Sequence, residues 1–561
     1  MSGTTALSPA HREWSRQRLA SGQLDILVVG GGVTGTGAAL DAASRGLAVG
    51  LIEARDYAVG ASSKSSKLIH GGLRYLEMLD FALVREALRE RQLLLTRLAP
   101  HLVKPVAFIW PLTHRCWERP YLAAGLWLYD TMAGRRAVPR ARQLTRTQAL
   151  RMAPALRRDA LVGAVQFYDA QEDDARMVAC LARTAAGLGA ALATCMPMTS
   201  LLHDDGRVSG VAARDLLTGE DLTIRARHVV LATGAWTGGE ELTVRPSKGV
   251  HITVPRSRIQ MQSGLLMRTE KSVLFVIPWG QHWVIGDTDT EWRYDPAHPA
   301  ASRADIEYLL AKVNSVLRDP LTLADIEGVF AGLRPLVAAS PAADTTKLSR
   351  EHTIRSPSPG LSVIGGGKYT TYRVMARDLI DVASGDLADR TAPVPSSRTG
   401  EIALTGADGW AERWAGRARI AADSGLPGGQ VERLLNRYGG CIDDLLALIQ
   451  ARPELAEPVT GAGGYLGVEI VYACSHEGAT HLDDALARRT RTAIEMRDRG
   501  LAAAPEVAAL MAAELGWSRD RTDLEIASYR EWVAAHLAGE AAPDDAAAYN
   551  AVRKLPDPAR L

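Results

Sequence analysis

Three separate stretches of the chain begin with a hydrophobic run of strand length that leads into a turn containing glycine, and in the first and third stretches a helical pattern follows. The first stretch begins with the hydrophobic run of residues 25–29, the second is residues 223–236, and the third is residues 360–383. This change of hydrophobic period across a glycine turn is typical of the βα units that build a parallel sheet. The pattern therefore predicts one α/β domain assembled from three pieces that lie far apart in the chain.

A different pattern occupies the long insertion between the second and third pieces. Residues 273–279 and 283–287 are two strand-like runs joined through Gly280 and Gln281, which predicts a hairpin in an antiparallel sheet. From about residue 399 the chain is rich in alanine and shows amphipathic helical spacing. We therefore predict a discontinuous nucleotide-binding domain at residues 20–95, 160–240 and 350–395, a substrate-binding domain at 96–159 and 241–349, and a C-terminal helical cap at 396–561.

The glycines after the first predicted strand form a dinucleotide-binding motif. Gly30, Gly32 and Gly35 follow the order G-x-G-x-x-G, and Glu53 ends the next strand, 18 residues after Gly35. Such glycines allow a pyrophosphate to approach the helix N-terminus, and an acid at this spacing can bind ribose hydroxyls. The alternative is a glycine-rich turn in another α/β sheet. An NAD domain continues as regular repeats, whereas this chain departs into polar residues after Glu53, which favours FAD.

The segment at residues 65–77, SSKLIHGGLRYLE, combines more polar groups than a core strand needs with more leucine than a surface loop needs. A helix predicted after Gly71 and Gly72 places Arg74 and Tyr75 in its first turn, directly after His70. Here His70 can serve as a proton acceptor, Arg74 as an anion clamp and Tyr75 as a hydrogen-bond donor. The alternative is a structural capping turn.

Two further cations occur in settings that call for a partner. Arg334 stands within the otherwise hydrophobic run of residues 329–339, where an unpaired guanidinium is costly to bury. Its partner is either a structural carboxylate or a ligand anion, and the sequence leaves both open. Lys368 follows the last glycine turn, where the positive end of the next helix can face the flavin edge. A surface lysine is the alternative for Lys368.

The overall composition excludes several classes of protein. The 561 residues are 47% hydrophobic and 23% charged with a net charge of +1, which is typical of a soluble globular protein and argues against a nucleic-acid binder. The five cysteines are widely spaced and form no C-x-x-C, so we predict a reduced chain without a metal site. We find no signal peptide at the N-terminus and no hydrophobic run long enough to span a membrane.

Residues 104–142 mix aromatic side chains with many arginines next to a short hydrophobic run. The aromatic members of this segment are Trp110, Trp117, Tyr121, Trp127 and Tyr129. Such a mixture is typical of a segment that lies on an anionic membrane surface, where it could also admit a quinone. The alternative is a buried helix with an arginine-rich solvent face.

The motifs DILVVGGGVTGTGAALDAASRGLAVGLIEARD, SSKSSKLIHGGLRYLE, SKGVHITVP, FVIPW, GLRPL and GGGKYTTYR occur in this order along the chain. Together they resemble the FAD-dependent glycerol-3-phosphate dehydrogenases of aerobic respiration, over roughly residues 24 to 380. The resemblance implies a glycine-oxidase-like fold with a discontinuous Rossmann-like FAD-binding domain, an antiparallel substrate domain and a C-terminal helical cap. It also implies oxidation of sn-glycerol 3-phosphate to dihydroxyacetone phosphate, with electrons passed to a membrane quinone.

The resemblance also assigns roles to individual residues. It implies substrate binding by Arg74, Tyr75 and Arg334, and catalytic roles for His70, His251 and Lys368. The cofactor-binding residues that it implies are Gly30, Gly32, Val33, Thr34, Gly35, Glu53, Ser62, Ser63, Ser65, Ser66, Gly234, Gly366, Lys368, Tyr369 and Thr370. Two departures are visible: Asp287 follows Gly286 where the family commonly has threonine, and Tyr369 stands where leucine is usual.

From the resemblance we expect hydride transfer from C2 of the substrate to flavin N5. His70 is the favoured proton acceptor and His251 the alternative. We expect a homodimer in the cytoplasm, peripherally associated with the inner face of the cell membrane. Three other functions stay open: a glycerol-3-phosphate oxidase that reduces O2 to H2O2, an enzyme of the same fold that oxidises an amine, and a flavin-bearing scaffold without turnover.

Overall fold

The computed structural model describes residues 4–72, 80–114, 117–132, 138–238, 242–269, 273–337, 351–387 and 392–555. Its strands are β1 (Gln23–Val29), β2 (Val49–Ile52), β3 (Leu68–Ile69), β4 (Lys104–Leu112), β5 (Arg142–Thr145), β6 (Gly163–Gln171), β7 (Ala191–Ala193), β8 (Met198–Asp204), β9 (Arg207–Arg214), β10 (Asp221–Leu231), β11 (Val244–Pro255), β12 (Gly264–Arg268), β13 (Val273–Trp279), β14 (His282–Gly286), β15 (Thr290–Glu291), β16 (Gly328–Val337), β17 (His352–Ser358) and β18 (Leu361–Gly366).

Its α-helices surround two sheets and form the C-terminal third of the chain. They are α1 (Pro9–Ala20), α2 (Val33–Ser44), α3 (Phe81–Leu93), α4 (Glu118–Met132), α5 (Arg146–Met152), α6 (Asp174–Gly187), α7 (Arg303–Asn314), α8 (Tyr372–Gly385), α9 (Trp410–Ala415), α10 (Arg417–Ser424), α11 (Gly428–Tyr438), α12 (Ile442–Ala451), α13 (Gly467–His476), α14 (Thr492–Glu495), α15 (Ala504–Leu515), α16 (Arg519–Ala541) and α17 (Asp545–Val552). Within the described ranges, none of them combines the length and hydrophobicity that a membrane span requires.

The first sheet joins the three predicted nucleotide-binding pieces. Its strand order is β17-β18-β10-β1-β2-β7, and β1, β10 and β18 are neighbours that run parallel. Side chains alternate along β1, so Ile26 and Val28 pack on one face with α2, α6 and α8. Because the carboxyl ends of parallel strands meet at one edge, all three glycine turns lie together there. The predicted assembly from three pieces is confirmed.

The second sheet is mainly antiparallel, as predicted. Its strand order is β15-β11-β14-β13-β12-β4-β6-β3, and β16 pairs with β11. Alternation with period two separates its faces: on β4, Ile109 packs in the core that α5 and α7 cover, whereas Phe108 and Trp110 point to the opposite face. The predicted hairpin is present as β13 and β14, joined through Gly280 and Gln281.

Two strands lie outside the domain to which the sequence assigned them: β3, within the predicted range 20–95, pairs with β6 in the second sheet, and β6 itself belongs to that sheet. The predicted boundaries place residues 160–171 in the nucleotide-binding domain, but β6 pairs with β4 along its whole length in the second sheet. The reason is that antiparallel pairing with β4 satisfies the backbone of β6 and buries Phe167 between the sheet and α4. These parts of the boundary prediction are therefore wrong.

Helices α9 to α17 form the predicted cap, which contacts both sheets through buried ion pairs. Lys248 on β11 contacts Asp305 of α7 and Asp545 of α17, and the lysine is fully buried. Near the first sheet, Arg491 of the cap pairs with Asp173 and Asp174. Unpaired, these charges would be costly to bury, so they specify how the cap packs.

Candidate active site

A cavity of about 660 Å³ lies between the two sheets. The glycine turns that follow β1, β10 and β18 line one side of it, and side chains of the second sheet line the other. The predicted residues that line this cavity are Gly30, Gly32, Val33, Thr34, Glu53, Ser62, Ser65, Ser66, His70, Gly234, His251, Arg334, Gly366, Lys368, Tyr369 and Thr370. The fold thus brings together residues that are separated by up to 340 positions in the chain.

In the glycine turn after β1, the backbone packs so closely that side chains at two of the glycines would clash with carbonyl oxygens. Gly30 has φ of +116°, and a Cβ there would lie 2.5 Å from the carbonyl oxygen of Ala232. A Cβ on Gly35 would lie 1.9 Å from the carbonyl oxygen of Gly30, so Gly35 does not line the cavity but lets α2 pack on the turn. The N-cap residue of α2 is Gly32, which has no side chain to accept a hydrogen bond from the first N–H groups of the helix. This helix end therefore suits an anionic pyrophosphate.

Glu53 closes the turn at the end of β2. Its carboxylate accepts hydrogen bonds from the backbone N–H of Gly31 at 2.6 Å and of Arg55 at 2.9 Å. Burial raises the pKa of Glu53, and the two backbone hydrogen bonds oppose this rise. A carboxylate at the cavity wall can accept hydrogen bonds from the hydroxyls of a ribose. The residues of this turn therefore fit a dinucleotide cofactor.

The serines after Glu53 contact the turn, the ion pairs and the second sheet. Ser62 accepts a hydrogen bond from the N–H of Val33 at 3.0 Å, which ties the loop to α2. Ser65 donates to Asp174 at 2.7 Å, and Ser66 lies 2.9 Å from Nε2 of His251. Ser63 is buried and lines a separate cavity beside the cap, so the structure does not place it with the other predicted cofactor residues.

His70 lies where the third glycine turn meets the segment that follows β3. Its backbone N–H donates to Oγ1 of Thr370 at 3.2 Å, and this hydroxyl lies 3.3 Å from the carbonyl oxygen of His70. The next residue, Gly71, donates its N–H to the hydroxyl of Tyr129 at 2.9 Å. The His70 segment is therefore held from two sides, and its side chain lines the cavity.

His251 on β11 lies in the floor of the cavity. Its ring stacks on Phe330 at a centroid distance of 4.8 Å and an interplanar angle of 7°. Burial lowers the pKa of His251 well below its usual range, and the cations Arg334 and Lys67 lower it further. Among the described residues its Nδ1 has no hydrogen-bond partner. Burial and the neighbouring cations therefore favour the neutral form of the imidazole.

Arg334 on β16 lies at the same end of the cavity and is paired with carboxylates. Its guanidinium contacts Asp287, donates to the carbonyl oxygen of Thr288 at 3.2 and 3.3 Å, and lies 3.8 Å from Asp289. From the sequence, the partner of Arg334 could be either a structural carboxylate or a ligand anion. In the structure the partner is the carboxylate of Asp287. Both partners line the cavity, and about a fifth of the guanidinium-bearing side chain is exposed (22%). A ligand anion can therefore still reach Arg334.

Lys368 lines the cavity at the third glycine turn and is half-buried. Tyr369, the residue that replaces the usual leucine, donates its hydroxyl to the carbonyl oxygen of Asp174 at 2.6 Å. Arg74 and Tyr75 lie outside the described residues. The helix described next to them begins at Phe81 and is capped by Asp80, whose carboxylate accepts from the N–H of Leu83.

The sequence did not identify three residues of the site. Lys64 lines the cavity, and burial lowers its pKa to about 8, with Arg488 and Arg55 adding to the effect. Phe330 supports His251, and Tyr129 supports the His70 segment through Gly71. Phe330 and Tyr129 contact His251 and Gly71, which are distant from them in sequence, so no local sequence pattern indicates their roles. Lys64 could have been found as a lysine in a glycine- and serine-rich loop.

The predicted membrane segment is divided between core and surface. Residues 104–112 form β4, and Trp110 is buried there because both faces of the strand are covered from Phe108 to Leu112, so this part of the prediction is wrong. Tyr129 of α4 is also buried. Trp117, Tyr121 and Trp127 are exposed, the last to 69%, and the rings of Trp117 and Tyr121 lie 6.1 Å apart.

Comparisons with known proteins agree along the chain. Residues 25–379 match the family described as FAD dependent oxidoreductase, and residues 397–522 match the C-terminal domain of alpha-glycerophosphate oxidase. Glycerol-3-phosphate dehydrogenase 2 of Mycobacterium tuberculosis (strain ATCC 25618 / H37Rv) is 52% identical over 551 residues, which cover 97% of this chain and 94% of that protein. The mitochondrial glycerol-3-phosphate dehydrogenase of Mus musculus is 36% identical over 90% of this chain and 73% of its own length.

A solved structure supports the same relationship. The glycerol-3-phosphate dehydrogenase of Bacillus halodurans complexed with FAD superposes with a TM-score of 0.76 and 28% identity, and covers 94% of this chain and 98% of its own. The fold class predicted from the sequence and the FAD cofactor are thereby confirmed.

Proposed function

Since the chain belongs to the family of FAD-dependent glycerol-3-phosphate dehydrogenases, we propose that it oxidises sn-glycerol 3-phosphate to dihydroxyacetone phosphate and passes the electrons to a membrane quinone. The observation that carries this proposal is one cavity in which Arg334, His251 and His70 face the three glycine turns. The cavity offers a cation for a phosphate and imidazoles for a hydroxyl proton, next to the residues that would hold FAD.

We propose that substrate binding depends on the attraction between the phosphate dianion and the partly buried guanidinium of Arg334. Arg334 presents a guanidinium whose planar donors match two phosphate oxygens. We propose that the phosphate takes the position that Asp287 occupies against Arg334. Arg74 remains the second predicted contact, and Lys64 adds positive charge to the same cavity. Fixing the phosphate orients the secondary alcohol at C2, which supplies much of the rate through positioning.

The chemical step needs a hydride acceptor and a proton acceptor. FAD, when bound, supplies the hydride acceptor at flavin N5. We propose that His70 takes the hydroxyl proton, because its side chain lines the cavity beside the third glycine turn and an imidazole can serve there as a general base. The low pKa of His251 makes it a weaker base, and its hydrogen bond with Ser66 and its stacking on Phe330 suit it to positioning the alcohol instead.

Replacing the two histidines separately should distinguish their roles. We expect His70→Asn to slow anaerobic flavin bleaching by sn-glycerol 3-phosphate by roughly 10²- to 10⁴-fold, the usual contribution of a general base. The acid limb of the pH profile should disappear with it. His251→Asn should slow bleaching less and leave the acid limb near its wild-type pH, because the pKa of His251 already lies well below 6.5. Stopped-flow absorbance between pH 5 and 9 measures both effects.

His203 provides a control, because it lies on β8 of the first sheet and is not among the residues that line the cavity. His203→Asn should retain wild-type bleaching. The assignment of His70 is contradicted if His70→Asn keeps the acid limb and His251→Asn removes it, and His251 then becomes the base.

We propose that α4 docks the enzyme on the inner face of the cell membrane. Its exposed side chains Tyr121 and Trp127, with Trp117 just before the helix, form an aromatic surface of the kind that inserts at a lipid interface. The double variant Trp117→Ser, Trp127→Ser should bind anionic vesicles at least roughly tenfold more weakly, since burial of a large apolar side chain contributes about 1.5–3 kcal/mol. Flotation with vesicles that contain phosphatidylglycerol measures the bound fraction.

Leu524→Ser removes a comparably exposed hydrophobic side chain from α16 of the cap and serves as the matched control. It should float like the wild type. Equal flotation of the double variant and the control would overturn the assignment of α4 as the membrane surface.

The choice of acceptor separates the proposed dehydrogenase from the oxidase, which is one of the three alternatives that the sequence left open. The match of residues 397–522 to a domain of alpha-glycerophosphate oxidase makes an oxidase the second candidate. We expect rapid turnover with a quinone and slow oxygen consumption without one. Fast H2O2 production in the absence of quinone would favour the oxidase. The predicted homodimer stays a prediction.

A further inference from the structure

A second cavity, of about 150 Å³, lies where the two sheets meet the cap, and we name it the cap cavity. Residues 55–64 after β2, strand β16 and helix α16 of the cap all contribute to its lining. Ala61 and Trp236 line it as well and are exposed, Trp236 to 47%. Small solutes can therefore reach the cap cavity from solvent at this edge.

Lys64 lines both the active cavity and the cap cavity. A Cβ on Gly332 of β16 would lie 2.8 Å from the Cβ of Lys64, so the strand has a glycine where the lysine passes it. Burial lowers the pKa of His536 on α16 to about 4, and the charge of Lys64 adds to this effect. The side chain of Lys64 therefore extends past β16 toward the cap.

Lys64 differs from the cations around it in the contacts of its charged end. In the part of the chain that the structure describes, its amine makes no hydrogen bond and no ion pair, and the residue is half-buried. By contrast, Lys67 is paired with Asp174, and Arg488 contacts three carboxylates. The neighbouring carboxylates thus pair with other cations, and the amine of Lys64 is left free to react.

The surroundings of Lys64 favour its neutral form. Burial lowers its pKa to about 8, and the cation Arg488 contributes to this shift. Arg55 and Lys67 add to it, whereas Asp483 opposes it. About a quarter of the amine is then neutral at pH 7.5, against roughly a thousandth for a lysine with the ordinary pKa of about 10.4. A desolvated lysine next to other cations is a known form of activated nucleophile.

The dimensions and charge of the cap cavity restrict what can react there. Its volume is smaller than the roughly 300–1,000 Å³ of pockets for larger ligands, so a small reagent fits better than a coenzyme-bound one. Among the described lining residues, lysines and arginines outnumber aspartates and glutamates by five to four, so the cavity does not repel an anion. We propose that Lys64 is a site of acylation by small acyl phosphates, such as acetyl phosphate.

The acylation balances without a redox partner. The neutral amine of Lys64 attacks the acyl carbon and forms an N–C bond, and the bond from that carbon to the phosphate oxygen breaks. Inorganic phosphate leaves, and the nitrogen loses one proton to water. The resulting amide carries no charge, so the wall that the two cavities share becomes less positive. We therefore expect acylation to weaken binding of sn-glycerol 3-phosphate; this consequence, unlike the modification itself, rests on the proposed function.

Mass spectrometry of the FAD-loaded protein tests the modification. With millimolar acetyl phosphate at pH 7.5, we expect Lys64 to be acetylated roughly tenfold faster than the exposed Lys554. Its rate should reach half of its maximum near pH 8 and then level off, whereas the rate at an ordinary lysine rises to about pH 10. Equal rates at Lys64 and Lys554, or a rate at Lys64 that still rises at pH 10, overturns the proposal.

Lys104 is the matched control within the same chain. Burial lowers its pKa to about 8 as well, but its amine donates to the carbonyl oxygen of Pro100 at 2.8 Å and lies 3.7 Å from the ring centroid of Trp410. It should therefore be acetylated more slowly than Lys64. Equal rates at Lys64 and Lys104 would show that the free amine and the cap cavity do not matter, and would overturn the proposal.

Two variants test the consequence for the active cavity. Acetyl phosphate should raise the KM for sn-glycerol 3-phosphate several-fold in the wild type, but Lys64→Arg should keep the KM that it has before treatment. Lys64→Gln, which resembles the acetylated side chain, should have a raised KM without treatment and carries the test if Lys64→Arg binds no FAD. A rise that also occurs in Lys64→Arg overturns the consequence. Failure of the substrate to bleach the untreated wild type overturns the proposed function instead and leaves the mass-spectrometric result standing.

Discussion

Replacing Arg334 with methionine should lower kcat/KM for sn-glycerol 3-phosphate by roughly 30- to 300-fold while FAD stays bound. Removing one partner of a hydrogen-bonded charge pair costs about 2–5 kcal/mol, and the lower part of this range applies because 22% of the Arg334 side chain is exposed. The loss should appear mainly in KM, since the phosphate contact is made equally in the ground state and in the transition state.

Asp287→Asn is the opposite test of the same contact. In the free enzyme the carboxylate of Asp287 contacts Arg334 and also repels a phosphate dianion. An amide of the same shape removes the repulsion, so we expect KM to fall by several-fold with little change in the bleaching rate at saturation. Arg334→Met and Asp287→Asn should therefore move KM in opposite directions.

The measurement is the substrate dependence of anaerobic bleaching at constant ionic strength. Arg318→Met serves as the control, because this arginine is exposed and pairs only with Asp319 among the described residues. It should leave KM unchanged. Unchanged KM in Arg334→Met would show that the phosphate binds elsewhere in the cavity, and a higher KM in Asp287→Asn would show that Asp287 supports the substrate.

The second large effect concerns the buried ion pairs behind the cofactor residues. Asp174→Asn should lower the free energy of unfolding by about 3–5 kcal/mol, the usual cost of leaving a buried charge without its partner. Asp174 is fully buried and accepts from Lys67 at 2.8 Å; it also pairs with Arg491 of the cap. Both cations would lose their shared carboxylate. Because Ser65 donates to Asp174 as well, FAD should also be released more readily.

Chemical denaturation of the FAD-loaded protein, followed by flavin fluorescence and by far-UV circular dichroism, measures both effects. Asp319→Asn is the control, since Asp319 is 64% exposed and its pair with Arg318 should contribute little. A denaturation midpoint of Asp174→Asn that equals that of the control would contradict a stabilising role for the buried network.

The sequence predicted the nucleotide-binding part of the fold well, because its signals are local. Each glycine turn lies within a few residues of its strand and helix, so Gly30 and Gly366 could be assigned without knowledge of the rest of the chain. The hairpin of β13 and β14 was equally predictable. Strand β6 was misplaced, because the choice between two sheets depends on which edge is available for pairing, and this is decided by distant segments.

The site was predicted less completely than the fold. Arg334 and His251 were identified and do share a cavity, but the contact of Arg334 with Asp287 joins positions that are 47 residues apart and depends on strand register. Trp110 was taken for a membrane-surface residue because its neighbours are aromatic and basic; the unbroken hydrophobic run from Val106 to Leu112 was the signal that it is buried. The roles of Arg74 and Tyr75 remain predictions.

The proposed oxidation of sn-glycerol 3-phosphate is tested most directly by mixing the purified yellow protein anaerobically with this substrate and following the visible absorbance. We expect rapid bleaching of the flavin, and recovery of the oxidised spectrum when a quinone is added. An oxidised spectrum that persists at millimolar substrate, in protein that retains FAD, would contradict the proposed substrate and leave only the family and the fold established.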